Sequence, residues 1–546
     1  MSIFNSVLVK KPGRSLFNLR HERKFSGDWS YLYPILCLEA VPGDTFKIST
    51  EVLVRTAPLI APIMHRVSVK LNYFFVPNRL IWNEWQDFIT GISQTATYNP
   101  ASTDQSSYFV TKVPPFYELS NSTSSAYQAF FKDGQLADFL GFPTMRPSES
   151  MSGSVNVQVL PFRAYQQIYN DWYRNQNVEA ENVFSKASGK ITSNLNQLFM
   201  LRRRMWEKDY FTSALPFAQR GDAVPIPIAQ LSFNPEGRTI LRDDQGGSVN
   251  IVTENTMVAD YYSEKPSAQR YTGINVADEE EVKIDNTENL KITMGSINDL
   301  RSATKLQKWL EVNARVGGRY IEQILGHFGI HSSDARLQRA EYLGGWSSPI
   351  IVSDVEQNSA SGGTATSTTS GTTPQGNLAG KGTSYGQSTP IKCFCEEHGF
   401  VIGLLSIMPK TSYQDGLPRM FQRNYKEDYY FPEFANLGEQ EINKAEVSFK
   451  LSDSTKRSFD RFGFQERYCE YKYVPSTVHG EFKNALQFWH LGRSFPDNPA
   501  LNKTFCTCEP RTNIFAVSDS ANHFYVNLIN NVTALRPMPK QAIPSL

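Results

Sequence analysis

Cys393 and Cys395 form one C-x-C pair and Cys506 and Cys508 another, with His398 and His523 a short distance along the chain. Thiolates and imidazoles are the donors of a zinc site. Residues two apart on a strand share a face, however, and cysteine packs there as a small apolar side chain, while common structural zinc sites space their thiols more widely. The spacing favours reduced, packed thiols over a metal. Glu396, Glu397 and His398, or His479 and His490, carry the groups of acid–base catalysis, yet none stands in a nucleophile elbow or beside a recognisable partner pattern. Residues 376–383 read GNLAGKGT. A phosphate-binding loop needs four residues between its first glycine and the Gly-Lys pair, then Ser or Thr; here only three intervene and Gly382 follows Lys381. The sequence points to no enzyme and asks for no cofactor.

Cations that could meet nucleic acid gather twice. Lys10, Lys11, Arg14, Arg20, Arg23 and Lys24 stand against Glu22 alone in residues 1–24, a net charge of +5. Such an arm attracts phosphates without regard to sequence, or lies solvated or across a neighbouring subunit. Arg202, Arg203 and Arg204 are interleaved with Trp206, Tyr210 and Phe211, a pattern that can stack bases, though the same residues also build ion pairs and core. With 55 basic and 54 acidic residues, the chain as a whole is no cationic sponge, so any basic surface must be local.

The elements that must position these residues are mostly short strands. Thirty Pro, 34 Gly, 35 Phe and 25 Tyr in 546 residues describe many turns and ordered loops, and aromatic residues at 12% suit large packed interfaces. No window offers the roughly 20 apolar residues of a membrane helix, and the first 30 lack a signal-peptide core. Six cysteines in so long a chain make no disulfide framework.

Period-two alternation marks Phe46, Ile48, Val52 and Val54, then Val67 to Phe75, and Val155 to Val159. Phe400 to Met408 reads as a buried strand; Ala445 to Leu451, Cys469 to Tyr473 and Phe524 to Leu528 alternate. A helix is predicted over Phe162 to Arg174. The longest helix is predicted over Ile297 to Phe328, apolar on two faces and therefore packed between neighbours, with a kink or close backbone approach at Gly317 and Gly318. The predicted organisation is a basic arm (1–30), first strands (31–90), a loop insertion (91–153) and a returning strand and helix (154–216). A surface insertion (217–296), an insertion helix with its following block (297–347), a Ser/Thr/Gly-rich loop (353–388) and the remaining strands with an extended tail (389–546) complete it.

Several stretches taken together resemble the major capsid proteins of the microviruses, nearest to the gokushovirus branch. They are VPGDTFKIST (41–50), YFFVPNRLIWNEWQDF (73–88), DYFTSALP (209–216), LQKWLEVNARVGGRYIEQILGHFGI (306–330), DARLQRAEYLGG (334–345), FGFQERYCEYKYVPSTVHGEF (462–482) and NHFYVNLINNVTALRPMPK (522–540). The resemblance spans nearly the whole chain and weakens over 91–153, 217–296 and 353–373. It implies a mainly β fold, an eight-stranded antiparallel viral jelly roll with large loop insertions and a few helices. It also implies self-assembly, through pentameric intermediates, into a T=1 icosahedral shell around circular single-stranded DNA of a small bacteriophage. The implied partners are further copies of the chain, the packaged DNA, a small basic DNA-binding protein, an internal scaffolding protein, a minor capsid or pilot protein and a host surface receptor, with no membrane. Assembly would take place in the host bacterial cytoplasm, and residues 217–296 would form the threefold protrusion used in host attachment.

Overall fold

The computed structural model describes residues 13–93, 112–120, 130–144, 154–222, 297–356, 378–450, 459–495, 498–518 and 520–541. A few isolated positions are described besides these, and between 223 and 296 the backbone of short strands. Contacts divide the chain into two units, Met1–Ala218 with Gly318–Leu546, and Gln219–Gly317.

Eight strands organise the first unit: β1 (His21–Gly27), β2 (Tyr33–Ala40), β3 (Thr45–Thr56), β4 (Val67–Pro77), β5 (Glu341–Glu356), β6 (Leu378–Gln387), β7 (Gly399–Pro409) and β8 (Phe524–Arg536). Every pairing is antiparallel. One sheet runs β1-β8-β3-β6, extended by Ser15–Asn18 on β8 and by Ile391–Phe394 on β3. The other runs β2-β7-β4-β5. Strand β5 joins the two, pairing with β4 through Ile350 and with β6 from Ile351 onward. Two four-stranded antiparallel sheets in this order are a jelly roll.

Register explains the core. Across β8 and β3, Val526 faces Val54, Leu528 faces Val52, Val532 faces Ile48 and Ala534 faces Phe46, so each inward position meets another. Val69, Leu71, Val401 and Leu405 of the second sheet join the same buried cluster. β7 is buried along its whole length, which is why it reads as a continuous apolar run. The helix predicted after Pro161 is present as α1 (Leu160–Ile168), continued by a π-helical turn over Tyr169–Tyr173, and Tyr165 donates to the Leu32 carbonyl at 3.0 Å.

Polar inward positions of the two sheets meet. Tyr73 donates its hydroxyl to Thr50 Oγ1 at 2.6 Å, and Thr50 donates onward to Asn530 Oδ1 at 2.8 Å. Asn530 Nδ2 donates to the Ile35 carbonyl at 2.9 Å and faces His21 Nε2 at 3.1 Å. The route runs from β4 to β3, along to β8, and back to β2, crossing between the sheets twice. Tyr73, Thr50 and Asn530 are fully buried, so each bond made avoids the cost of a dry unpaired polar group.

Several expectations are corrected. The helix predicted over Ile297 to Phe328 is two helices, α2 (Ile297–Val316) and α3 (Tyr320–Phe328). Gly317 between them takes φ +109°, a conformation that ends α2. Asn313 and Ala314 of α2 are buried, whereas Ile297, Leu300, Leu306 and Trp309 are exposed. By contacts α2 falls in the unit Gln219–Gly317. Residues 15–27 of the basic arm are strands paired with β8; their inward positions carry His21 and Arg23, which hide the period. The 353–388 tract contributes the end of β5 and all of β6, with 357–377 outside the described residues. Instead of a strand over Ala445 to Leu451, Glu439–Asn443 is the strand and Lys444–Val447 a helical turn capped by Asn443 and Glu446. Leu451 lies outside the described residues. Cys469–Tyr471 is a 3-10 turn rather than a strand.

Asn530→Ala would leave the Thr50 hydroxyl proton without its acceptor and take the Asn530 donor away from the Ile35 carbonyl in a dry core. The expected loss is about 2–3 kcal/mol in urea unfolding of the unassembled chain; an unchanged midpoint would show that the polar chain does not hold the sheets together.

Candidate assembly surface

The residues singled out for chemistry turn out to be dispersed and structurally engaged. Cys393 and Cys395 lie in the jelly-roll core with their sulfurs 3.7 Å apart, and that contact together with burial raises the Cys395 thiol far above its ordinary value. Cys506 and Cys508 occupy two other apolar clusters, and burial pushes their thiols up to about 11 and about 12. Such thiols stay protonated, the opposite of what a metal ligand or nucleophile requires. Among the described residues no group of three or more His, Cys, Asp or Glu could hold a metal. Glu397 pairs with Arg79 at 2.6 Å, and His490 sits between the Phe482 carbonyl and the Gly492 N–H. The glycines of GNLAGKGT serve close approach: a Cβ on Gly380 would come within 2.7 Å of the Ala61 carbonyl, and one on Gly382 within 2.5 Å of Thr56. Leu59 and Gly380 exchange backbone hydrogen bonds at that point.

The three arginines of the basic–aromatic run stack on the protein's own rings: Arg202 over Tyr169 at 5.3 Å, Arg203 over Tyr31 at 4.5 Å and Arg204 over Tyr173 at 5.3 Å. Arg202 is buried, bonded to Gln166 and Gln197, and Arg203 pairs with Glu509 at 2.8 Å. In the basic arm, Arg23 turns inward and donates to the Phe139 carbonyl at 2.9 Å, its charge disfavoured by burial. Lys24 points outward beside Glu22 at 3.2 Å, Arg20 is exposed, and Arg14 lies 5.8 Å from the Phe394 ring centre. Lys10 and Lys11 lie outside the described residues. Gly317 accepts from Arg220 Nη1 at 2.9 Å through its carbonyl.

The most distinctive surface is one that periodicity in the sequence does not reveal. Residues 419–437 fold as three 3-10 turns, Arg419–Phe421, Lys426–Asp428 and Pro432–Phe434. Their backbone is pinned down on every side. Arg419 donates to the Glu441 carbonyl at 2.6 Å and to Glu446 Oε1 at 3.1 Å. Asp428 accepts from the Asn424 and Tyr425 N–H groups at 2.9 and 3.0 Å, bonds that hold its carboxyl below the usual range. Tyr468 donates to the Tyr429 carbonyl and Arg467 to that of Glu427, both at 2.9 Å. Arg423 lies over Tyr471 at 4.5 Å and over Tyr429 at 5.2 Å. Glu446 is buried, which raises its carboxyl above its ordinary value, and it also accepts from Tyr210 at 3.1 Å.

Around these anchored polar groups, the apolar side chains turn out. Met420, Phe421 and Tyr425 from the first part, Tyr429, Tyr430, Phe431 and Leu437 from the rest, and the adjoining Tyr471 are each at least 45% exposed. The sequence signal was aromatic density without period, in RNYKEDYYFPEF (423–434). A single large apolar patch on a folded chain marks a surface that something else covers.

A jelly roll with insertions is the architecture of the jelly-roll capsid class. The chain belongs to the capsid protein (F protein) family, whose model matches residues 6–546, and so to the capsid proteins of the microviruses. It is similar to capsid protein VP1 of Chlamydia phage 1, 34% identical over 618 aligned residues that cover 100% of this chain and 97% of the relative. Capsid protein VP1 of Bdellovibrio phage phiMH2K is 32% identical across 97% of this chain and 95% of its own length. That of Spiroplasma virus 4 is 28% identical across 98% and 95%. The protein is a structural, non-enzymatic component of a virion that assembles with copies of itself.

Proposed function

We propose that the chain assembles into a T=1 icosahedral shell enclosing a circular single-stranded DNA genome, in the cytoplasm of a bacterial host. The observation that carries this reading is the eight-stranded jelly roll in a chain matched to the capsid family from residue 6 to residue 546. Pentameric intermediates, an internal scaffolding protein and a minor capsid or pilot protein belong to the same reading. Electron microscopy of the purified chain under assembly-permitting conditions tests it: uniform spherical particles are expected, and a persistent monomer would contradict it.

The unit Gln219–Gly317 is the candidate for the protrusion and for contact with a host receptor. Its compactness apart from the jelly roll supports this role. Deleting it should leave a chain that folds and assembles but binds host cells at least about tenfold more weakly in an adsorption assay; global unfolding of the variant would contradict the assignment.

Lys10, Lys11, Arg14, Arg20 and Lys24 are the candidate contacts for packaged DNA, with Arg23 withdrawn to the Phe139 carbonyl. A net charge of +1 over the chain leaves most phosphates to another, small basic protein. Replacing Arg20 and Lys24 together by Gln should lower the slope of log affinity against log salt for single-stranded DNA by about 1.4, roughly 0.7 for each phosphate no longer neutralised. An unchanged slope would remove them from the DNA surface. Gly317 and Gly318, between α2 and α3 in the chain, are the candidate point of close backbone approach, next to Arg319, which donates to the Arg174 carbonyl at 2.8 Å.

A further inference from the structure

The aromatic platform of residues 419–437 with Tyr471 is unusual in three respects, and together they select an occupant. The first is size. Taking about 200 Å² for a fully exposed side chain of this kind, the exposed fractions of its eight apolar residues come to roughly 1,000 Å². That is of the order of the about 800 Å² each partner contributes to a stable protein–protein interface. The second is charge. Residues 419–437 contain Arg419, Arg423 and Lys426 against Glu427, Asp428 and Glu433, so the segment is neutral. Arg423 is engaged by Tyr429 and Tyr471, Arg419 by Glu446, and Lys426 lies 3.9 Å from Glu427. The segment therefore carries no net positive charge to select a phosphate backbone. The third is rigidity. The turns are fixed through Glu446, Glu441, Arg467, Tyr468 and Asp428, so ordering the rings on binding costs little.

We propose that this platform is covered, in the assembled shell, by a second copy of the chain, and that it is one of the principal contacts closing the shell. The proposal rests on the capsid reading and adds the surface through which copies meet. A neutral, rigid face rich in Tyr and Phe fits the desolvated centre of an interface between like subunits, where aromatic anchors carry most of the binding energy. Symmetry then repeats the contact for every subunit, so a modest gain at each site is multiplied around the shell.

The test compares the full-length chain with the double variant F421D/Y425D, and with Y385D as a control on the outer face of β6, where Tyr385 is exposed. Because Phe421 and Tyr425 are exposed in the single chain, the variant should keep the circular dichroism and urea midpoint of the parent. Its particle yield should fall by more than about tenfold, while Y385D assembles normally. A folded variant that assembles like the parent would overturn the proposal. Should the variant fail to fold, hydrogen exchange on the parent decides. Amides of 419–437 should exchange at least about tenfold more slowly in particles than in unassembled chain, both in genome-filled particles and in empty shells. Equal exchange in particles and unassembled chain would overturn the proposal, and protection confined to genome-filled particles would assign the platform to DNA instead. If the parent itself forms no particles, the capsid reading fails, an outcome distinct from loss confined to the variant.

Discussion

The two sheets of this protein are held face to face by apolar packing, but the buried route from Tyr73 through Thr50 and Asn530 to the Ile35 carbonyl fixes which positions face each other. Apolar contact is non-directional and tolerates a slip of one sheet over the other. A hydrogen-bonded chain with all its members buried does not, because a slip would strand several polar groups at once. Everything else in the first unit hangs from that frame: α1 lies against the second sheet through Tyr165, β5 passes from one sheet to the other, and the loops that carry surface function leave from the strand ends.

The division between frame and surface accounts for what could be read in the sequence. Strands whose buried face is aliphatic, such as β3, β4, β7 and β8, show their period openly. β1 does not, because its inward positions are His21, Arg23 and Phe25, and a polar residue inside a sheet looks like a polar residue in a tail. β6 is disguised in the other direction. Its glycines, Gly380 and Gly382, resemble a flexible tract but are required by the backbone of Ala61 and the side chain of Thr56 that press against them. The long helix was legible and its interruption nearly so, since two adjacent glycines announce trouble; that Gly317 takes a left-handed conformation and ends the helix follows from geometry, not from composition.

The candidate surface was less legible than the frame for a related reason. Periodicity reports burial within one chain, and a segment made to be buried between chains has no period to report. Residues 419–437 follow neither a two-residue nor a helical repeat, so their aromatic residues read only as a high count. Their meaning appears once Arg419, Asp428, Arg467 and Tyr468 are seen holding the backbone while the rings face outward. The family resemblance, by contrast, was carried by whole stretches and was open to recognition from the start, and the match over residues 6–546 agrees with it.

A jelly roll registered by a buried polar chain thus presents rigid surfaces from which copies build a shell. A particle reconstruction with subunits traced tests this most directly. The account predicts a T=1 shell in which each subunit carries the β1-β8-β3-β6 and β2-β7-β4-β5 sheets, with Tyr73, Thr50 and Asn530 joined between them. A shell of another symmetry, or subunits whose sheets are paired in another register, would contradict it.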